Sequence, residues 1–333
     1  MKNISKAAVA VLLCLLALSC KEEKRSSALL PNVTGKVGEV LVVIDKPYWE
    51  GNTGAVIRET LGGETPYLAQ REPLFNLSNV PNANFSSLFQ VHRNLLMINV
   101  NPALEKGSVI YKSDYWAKTQ ALVQVSAPDE EGVIALYNES YPVISEFFEQ
   151  RERDRIIAND KKYGEPKLQE PVIDVTGGVL YFPSGYSLKK WTDNFVWVSD
   201  EKQYVMQTVM AYRFRAGKEP FTLENLVEKR DSVMKANVPG MVEGSYMTTS
   251  AAVKPEVTSL RYKGRAFMQM RGFWEVYGDY MGGPFVQHAF YSPDGKDIIV
   301  VEAFVYAPRY DKRQYLRQAE SILYSFEWKK SEK

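Results

Sequence analysis

The segment from Phe267 to Phe326 constrains the fold of this chain more than any other. Apolar and polar side chains alternate over residues 266–277, a period of two that is typical of a half-buried strand. Two further apolar runs follow at 285–291 and 298–307, each after a short stretch of turn-forming residues. Three consecutive strands joined by short turns predict an antiparallel meander.

A closing helix is predicted directly after the third strand. Asp311, with Gln314 three residues later, has the form of an N-terminal capping box. Apolar residues then recur at one-, three- and four-residue steps and give a single stripe: Tyr315, Leu316, Ala319, Ile322, Leu323 and Phe326. The meander supplies the surface that such a stripe needs, so an α+β arrangement is predicted.

The first twenty residues have the pattern of a bacterial lipoprotein signal. Lys2 and Lys6 precede the apolar run 7–18, and Cys20 follows the small residue Ser19. We therefore predict a signal peptide over 1–19 and lipid attachment at Cys20, which would join the protein to a membrane through its N-terminal lipid. The alternative is a cysteine that merely ends a hydrophobic segment.

Charged residues follow the predicted lipid site and form a tether over 20–33. Its first residues, Lys21-Glu22-Glu23, resemble the export tag of surface lipoproteins of Bacteroidota. The resemblance implies an outer-membrane lipoprotein, periplasmic or surface-facing, with the surface favoured. The alternative is a plain solvated linker.

Composition argues against several function classes. The only cysteines are Cys14 and Cys20, so the processed chain has neither a free thiol nor a disulfide. Removing Lys2 and Lys6 changes the formal net charge from +1 to −1, which gives no electrostatic basis for nucleic-acid binding. Glycine-rich phosphate loops are absent, and two distant histidines offer no metal-ligand spacing. We expect no cofactor, no metal and no nucleic-acid partner.

The length after the signal favours two domains. The connector Lys161–Pro171, with its prolines, glycine and charges, is the best boundary, giving an N-terminal α+β domain at 34–165 and a C-terminal one at 172–330. Each is predicted to be an α/β sandwich-like unit. The N-terminal order is β-α-β-β-α, with residues 64–87 as a loop and a helical region over 129–162 whose second segment begins near Pro142.

The second half is predicted to begin with a similar order of elements. It has strands at 178–182, 195–199 and 205–215, a helical turn at 186–191 and a helix at 223–236. The order is common in α+β proteins and carries no functional meaning alone.

Several segments together resemble a known family. They are Gly38-Glu39-Val40-Leu41-Val42-Val43-Ile44-Asp45, His92-Arg93-Asn94-Leu95-Leu96, Tyr115-Trp116-Ala117-Lys118-Thr119-Gln120, and Arg271-Gly272-Phe273-Trp274-Glu275 with Met281-Gly282-Gly283-Pro284-Phe285. The set is similar to domain of unknown function 4837, an uncharacterised lipoprotein family of Bacteroidota. The resemblance implies a compartment but no activity. Phe182-Pro183-Ser184-Gly185-Tyr186, together with the closing hairpin and helix, is more loosely similar to PsbP-like sandwiches.

The turn between the first two meander strands is the best candidate contact site. Tyr280-Met281-Gly282-Gly283-Pro284 is longer than the two-residue turn that commonly closes a hairpin. Trp274, Tyr277 and Tyr280 flank it and are candidates for stacking on sugars or apolar ligands. The alternatives are that these aromatics pack in the core and that Met281 folds back while the glycines permit a bulge.

His288 completes the set of candidate binding residues, although a single strand histidine is more often structural. No catalytic residue is predicted. We therefore expect a lipid-anchored cell-envelope protein that is a non-catalytic binding or assembly module, with an unknown envelope protein or glycan as partner. The alternative is an envelope glycan-processing hydrolase using a carboxylate pair from Glu275, Asp279, Asp294 and Glu302.

Overall fold

The computed structural model describes residues 29–217 and 221–329. The predicted signal peptide, Cys20 and most of the tether therefore lie outside the described residues. Two sheets organise the described part of the chain, one built entirely from residues before 128 and one from residues after 186. The division into domains at 165 and 172 stays a prediction.

The first sheet is mixed and has five strands: β1 (Glu39–Val43), β2 (Asn76–Val80), β3 (Asn94–Val100), β4 (Ser108–Ser113) and β5 (Ala121–Ala127). Their order in the sheet is β2-β1-β3-β5-β4. β1 pairs in parallel with β2 and β3, β3 pairs in parallel with β5, and β4 runs antiparallel to β5. Central β1 and β5 are almost continuously apolar because both faces of this sheet are covered. β2 corrects the prediction of a loop over 64–87.

Helices cover one face of this sheet around a core that includes Ile57, Tyr137 and Phe148. The helices of this half are α1 (Lys46–Glu50), α2 (Asn52–Thr60), α3 (Ser87–Gln90) and α4 (Glu130–Tyr163), with a 3-10 turn at Asn82–Asn84. Asp129 caps α4 by accepting the backbone N–H of Gly132 at 2.8 Å.

Pro142 lies inside α4, so the predicted break into two segments is wrong. Its missing N–H costs about 3 kcal/mol in a helix interior. Pro142 is on the exposed side of the helix, while Tyr137, Ile144 and Phe148 on the other side are buried against the sheet. Burial of that side offsets the lost hydrogen bond.

The predicted linker region is helical in the structure. A 3-10 turn at Pro166–Leu168 leads directly into α5 (Gln169–Thr176), and Leu168 and Pro171 are buried. The two halves are therefore joined by a packed connection.

The second sheet has eight strands: β7 (Ser187–Thr192), β8 (Phe195–Lys202), β9 (Val205–Arg215), β10 (Tyr246–Thr249), β11 (Glu256–Tyr262), β12 (Arg265–Tyr277), β13 (Gly282–Tyr291) and β14 (Asp297–Tyr306). It is antiparallel throughout, with the order β10-β12-β13-β14-β9-β8-β7 and β11 paired with β12. The predicted meander is confirmed as β12, β13 and β14. The predicted helical turn at 186–191 is wrong, since this segment belongs to edge strand β7.

Both faces of the second sheet carry helices. α6 (Leu223–Asn237) covers one core, which contains Met234, Trp274 and Phe304. α5 and α7 (Arg313–Tyr324) cover the other, which contains Val301 and Ile322. β6 (Gly178–Val179) and β15 (Glu327–Trp328) form a small separate pair. The predicted α+β class and the packed closing helix are confirmed.

The N-terminus of α7 is capped differently from the prediction. Lys312 is the N-cap residue and makes no side-chain cap. Glu72, from the first half of the chain, instead accepts the backbone N–H groups of Lys312 and Arg313 at 2.6 and 2.8 Å. Gln314 donates to the carbonyl of Val37 at 2.6 Å rather than completing a box. Helix α7 thus lies between its own sheet and α4 of the other half.

Candidate functional site

A cleft of about 600 Å³ lies where the two halves meet. One side is formed by α4 and α7, and the other by β11 and β12. Such junctions between structural units are preferred places for ligands. Thr258 and Leu260 of β11, Tyr141 and Ser145 of α4, and Leu316 of α7 line it. We call this space the interdomain cleft.

The first charged pair in the interdomain cleft joins α4 to α7. Both guanidinium nitrogens Nε and Nη2 of Arg317 donate to the carboxylate of Glu149, the first at 3.0 Å. Burial opposes ionisation of Glu149, but the charge and hydrogen bonds of Arg317 outweigh it and lower the pKa of the carboxyl. The pKa of Arg317 is raised by the same pairing against its own desolvation. Both groups therefore stay charged and mutually neutralised.

A second charged group connects β12, α4 and α7. The guanidinium of Arg271 donates to the carboxylate of Glu320, and Arg153 lies 3.9 Å from that carboxylate. Arg153 also donates to Glu146 at 2.7 Å. The Arg153 guanidinium lies 4.2 Å above the ring of Tyr324, a cation–π contact. Three of the five guanidinium groups that line the cleft are thus paired with carboxylates, whereas Arg261 and Arg313 make no ion pair with a described residue.

The floor of the interdomain cleft is built from β12 and β13. Gln269 donates to the hydroxyl of Tyr324 at 3.3 Å and lies 3.1 Å from Nε2 of His288. The His288 ring is fully buried between Phe267 and Tyr324, with centroid distances of 4.2 and 4.8 Å. Burial, with Arg265, Arg271 and Arg153 nearby, lowers its pKa well below the usual range. His288 is therefore a neutral ring that supports the floor.

This arrangement suits binding better than hydrolysis. A glycosidase needs one carboxylic acid with a raised pKa beside a second, ionised carboxylate. Glu149 has the opposite shift because of Arg317. Within residues 29–217 and 221–329, no three His, Cys, Asp or Glu side chains group as a metal site. The interdomain cleft offers aromatic walls, hydroxyls and neutralised charge pairs.

The four carboxylates predicted for a hydrolase do not converge. Glu302 lies on the other face of the sheet, fully buried, and Nη2 of Arg230 donates to it at 2.7 Å. Asp279 and Asp294 lie in two different exposed turns. Of these four carboxylates, only Glu275 lies on the sheet face that leads to the interdomain cleft.

The predicted contact residues separate into buried and exposed groups. Trp274 is buried, with its ring 5.0 Å from that of Phe304, so it is a core residue and cannot stack on a ligand at the surface. His288 is buried as well. Tyr277 is 63% exposed and Tyr280 fully exposed, so both are accessible at the end of the sheet.

The predicted turn is shorter than its sequence indicated, because Gly282, Gly283 and Pro284 belong to β13. A Cβ at Gly283 would collide with the carbonyl oxygen of Val305, so that position requires glycine for close strand packing. Met281 is half-buried against the core beneath α6. Met281 thus folds back onto the core as the alternative interpretation has it, but β13 pairs with β12 without a register shift at Gly282 and Gly283, so the predicted bulge is absent there.

The sequence patterns did not identify the charged residues of the interdomain cleft as candidate site residues. Glu146, Glu149 and Arg153 are three and four residues apart and so share one face of α4, as Arg317 and Glu320 do on α7. Charges repeated on one helix face are usually solvent-exposed. Their pairing across two distant helices depends on the tertiary fold.

Comparison with known proteins places the chain among domains of unknown function. Residues 33–161 match the family described as Domain of unknown function (DUF8532). Residues 166–325 match the family described as Domain of unknown function (DUF4837). The predicted family is confirmed for the region of the motifs at 271–285, whereas the segments at 38–45, 92–96 and 115–120 lie in the region that matches the other family.

Similarities to other proteins are distant. No curated protein matches the chain. The solved structure of a point mutant of the protein Mog1 is similar with a TM-score of 0.30 and 7% identity, covering 46% of this chain and 90% of that one. The human StarD13 (DLC2) lipid transfer and protein localization domain gives a TM-score of 0.23 and 13% identity, covering 43% and 89%. Likenesses at this level support no functional conclusion.

Proposed function

We propose that this protein is a lipid-anchored cell-envelope binding module that holds an uncharged, hydroxyl-rich ligand in the interdomain cleft. The observation that carries the proposal is the pairing of Arg153, Arg271 and Arg317 with carboxylates inside an open, aromatic-lined cleft. A glycan of the envelope is the ligand class that fits. No catalytic step is included.

The ion pairs of Arg271 and Arg317 in the interdomain cleft favour a neutral ligand over an anion. At Arg317 or Arg271, an anionic ligand would have to displace Glu149 or Glu320 from a guanidinium that it already satisfies. Breaking a buried pair costs about 3–5 kcal/mol, so this exchange is unfavourable. Sugar hydroxyls, in contrast, can use the remaining lone pairs and N–H groups without separating the charges. Aromatic walls such as Tyr262 and Tyr324 then contact the apolar faces of sugar rings.

Membrane attachment is proposed to depend on Cys20. The support is the sequence pattern of basic residues, apolar run and cysteine at positions 2–20. Among the described residues, no helix has the length and apolar character needed to cross a membrane. Cys20→Ala should move the protein to the aqueous phase on detergent partitioning. A variant that stays in the detergent phase would contradict lipid attachment at this residue.

We further propose an outer-membrane location with the protein facing the cell surface, supported by Lys21-Glu22-Glu23. Protease treatment of intact cells tests the orientation. Digestion of the protein is expected, and protection while a known surface protein is digested would place it on the periplasmic side.

Obstruction of the interdomain cleft tests the ligand proposal. Thr258 is exposed and lines the cleft, whereas its neighbour Ser259 points to the opposite face of β11. Thr258→Arg should therefore block binding without removing a contact of the folded protein, and Ser259→Arg is the matched control. Calorimetry with cellohexaose, mannohexaose and chitohexaose supplies neutral probes, and hexagalacturonate supplies an anionic one.

We expect at least one neutral hexaose to bind the parent protein and Ser259→Arg equally, and Thr258→Arg at least tenfold more weakly. Absence of binding by all three neutral probes would overturn the glycan proposal. Binding of hexagalacturonate alone would overturn the preference for a neutral ligand.

A further inference from the structure

We infer that the ligand is a linear neutral glycan that continues beyond the interdomain cleft, along one face of β12, to a tyrosine platform at the end of the sheet. This inference rests on the proposed function and adds a second contact region with its own residues. The region consists of Phe273, Glu275 and Tyr277 of β12 with Thr248 and Tyr246 of β10. We call it the β12 track.

Continuity of the β12 track follows from strand register. β12 spans Arg265–Tyr277, and its pairing with β10, β11 and β13 shows no register shift. Side chains two residues apart therefore share a face. Gln269 and Arg271 line the interdomain cleft, so Phe273, Glu275 and Tyr277 continue the same face. From Arg271 to Tyr277 the strand advances about 20 Å, enough for several linked sugar rings.

The β12 track is open and nearly flat. Phe273 and Glu275 are half-buried and Tyr277 is exposed, so this end of the strand is accessible to solvent. Across the sheet, Glu275 faces Gly282 on β13, which adds no side chain, and Phe273 faces the compact ring of Pro284. The Gly282-Gly283-Pro284 segment thus places no long side chain beside the β12 track.

The far end of the β12 track is a pair of stacked rings. Tyr246 and Tyr277 are cross-strand partners with centroids 5.1 Å apart and an interplanar angle of 24°. The ammonium group of Lys235 lies 4.8 Å from the centre of the Tyr246 ring and supports it. Tyr277, the more exposed of the two, therefore presents an aromatic surface held in place by its neighbours.

The chemistry of the β12 track fits a neutral glycan. The C–H groups of a sugar ring carry partial positive charge and are attracted to the negative face of an aromatic ring. Glu275 makes no ion pair with a described residue, so its carboxylate is available to accept sugar hydroxyls. Glu275 and the nearby Asp279 would repel an acidic polymer.

An extended peptide fits this face less well. Its backbone N–H and C=O groups would lose water on a sheet face that offers few polar partners, which is costly. A sugar chain instead turns its C–H faces to Phe273 and Tyr277 and leaves most hydroxyls in solvent. The linear glycan is therefore the occupant that the β12 track favours.

Chain length and a single truncation test the inference. Calorimetry compares the neutral hexaose that binds best with the triose of the same sugar, using the parent protein, Tyr277→Ala and Tyr163→Ala. Tyr163 is 61% exposed at the end of α4 and is the matched control for Tyr277. Circular dichroism melts establish that the variants are folded.

We expect the hexaose to bind the parent protein more tightly than the triose. Tyr277→Ala should weaken hexaose binding about fivefold to tenfold and leave triose binding unchanged, while Tyr163→Ala changes neither. Equal affinities for hexaose and triose, or no effect of Tyr277→Ala on the hexaose, would overturn the β12 track but leave the interdomain cleft as a binding site. Binding of neither sugar would instead reject the proposed function itself.

Discussion

Glu72 and Lys312, far apart in sequence, meet at the start of α7, where the Glu72 carboxylate accepts the backbone N–H of Lys312 at 2.6 Å. Its second oxygen accepts the N–H of Arg313 at 2.8 Å. A negative group at a helix N-terminus satisfies free amides and interacts favourably with the helix dipole. One buried side chain of the first half therefore completes the closing helix of the second.

Removal of this cap should destabilise the protein. Glu72→Ala is expected to lower the free energy of unfolding by about 1–2 kcal/mol, as loss of a helix cap does. Urea denaturation followed by circular dichroism measures the change. Glu64→Ala is the control, because Glu64 makes only an exposed ion pair with Arg71 at 3.1 Å, worth under about 1 kcal/mol. Equal effects of the two variants would show that Glu72 does not cap α7 in solution.

The Glu149–Arg317 pair predicts a pH dependence of stability. Burial alone would raise the pKa of Glu149, but the charge and hydrogen bonds of Arg317 outweigh this effect. The pKa of Glu149 is therefore lowered in the folded protein. A carboxyl with a depressed folded pKa contributes stability above its unfolded pKa, near 4.3, and loses it as the pH falls through the folded value. Glu149→Gln should therefore be destabilised at pH 7 by about 3 kcal/mol, with a smaller difference at pH 3. A difference that stays constant with pH in urea titrations would contradict the pairing.

The sequence predicts strands well where the alternation of side chains determines one buried face. β9 and the meander have this property, since each strand contributes inward residues such as Val209 and Val301 to a common core. β7 was missed because its sequence, Ser187–Thr192, is polar and forms an exposed edge. Its strand conformation comes from pairing with β8, which no local pattern of β7 contains.

The interdomain cleft was beyond sequence reasoning for a similar reason. Glu149 and Arg317 are ordinary charged residues on amphipathic helices until α4 and α7 are placed side by side. For Trp274 the sequence did contain the right signal. Its position near a turn suggested an exposed side chain, but alternation along the strand places it with Met270 in the core. Alternation along β12 was the more reliable signal, because register fixes the face of every residue in a paired strand.

We predict that replacing the buried Asp160 by asparagine stabilises the folded protein. Asp160 is 5% exposed, its Oδ2 has no hydrogen-bond partner among the described residues, and burial raises its pKa to about 6. A carboxyl group whose pKa is higher in the folded than in the unfolded protein favours folding when it is protonated. Its contribution to the free energy of unfolding therefore falls as the pH rises from about 4 through 6. Asp160→Asn should increase stability at pH 7 by about 1 kcal/mol and have little effect at pH 4. Exposed Asp193→Asn is the control, and equal gains at both pH values in thermal melts would contradict this account.

Met281 and Tyr280 are neighbours in one turn with opposite environments, which makes them a matched pair for a final test. Met281 is half-buried against the core beneath α6, and its carbonyl accepts the N–H of Val276 at 2.9 Å. The Tyr280 side chain is fully exposed. Met281→Ser removes apolar contacts and should lower the free energy of unfolding by about 1–2 kcal/mol, whereas Tyr280→Ser should change it by less than about 0.5 kcal/mol. Urea denaturation of both variants gives the comparison, and a cost below about 0.5 kcal/mol for Met281→Ser would show that this side chain is free at the surface and available as a contact.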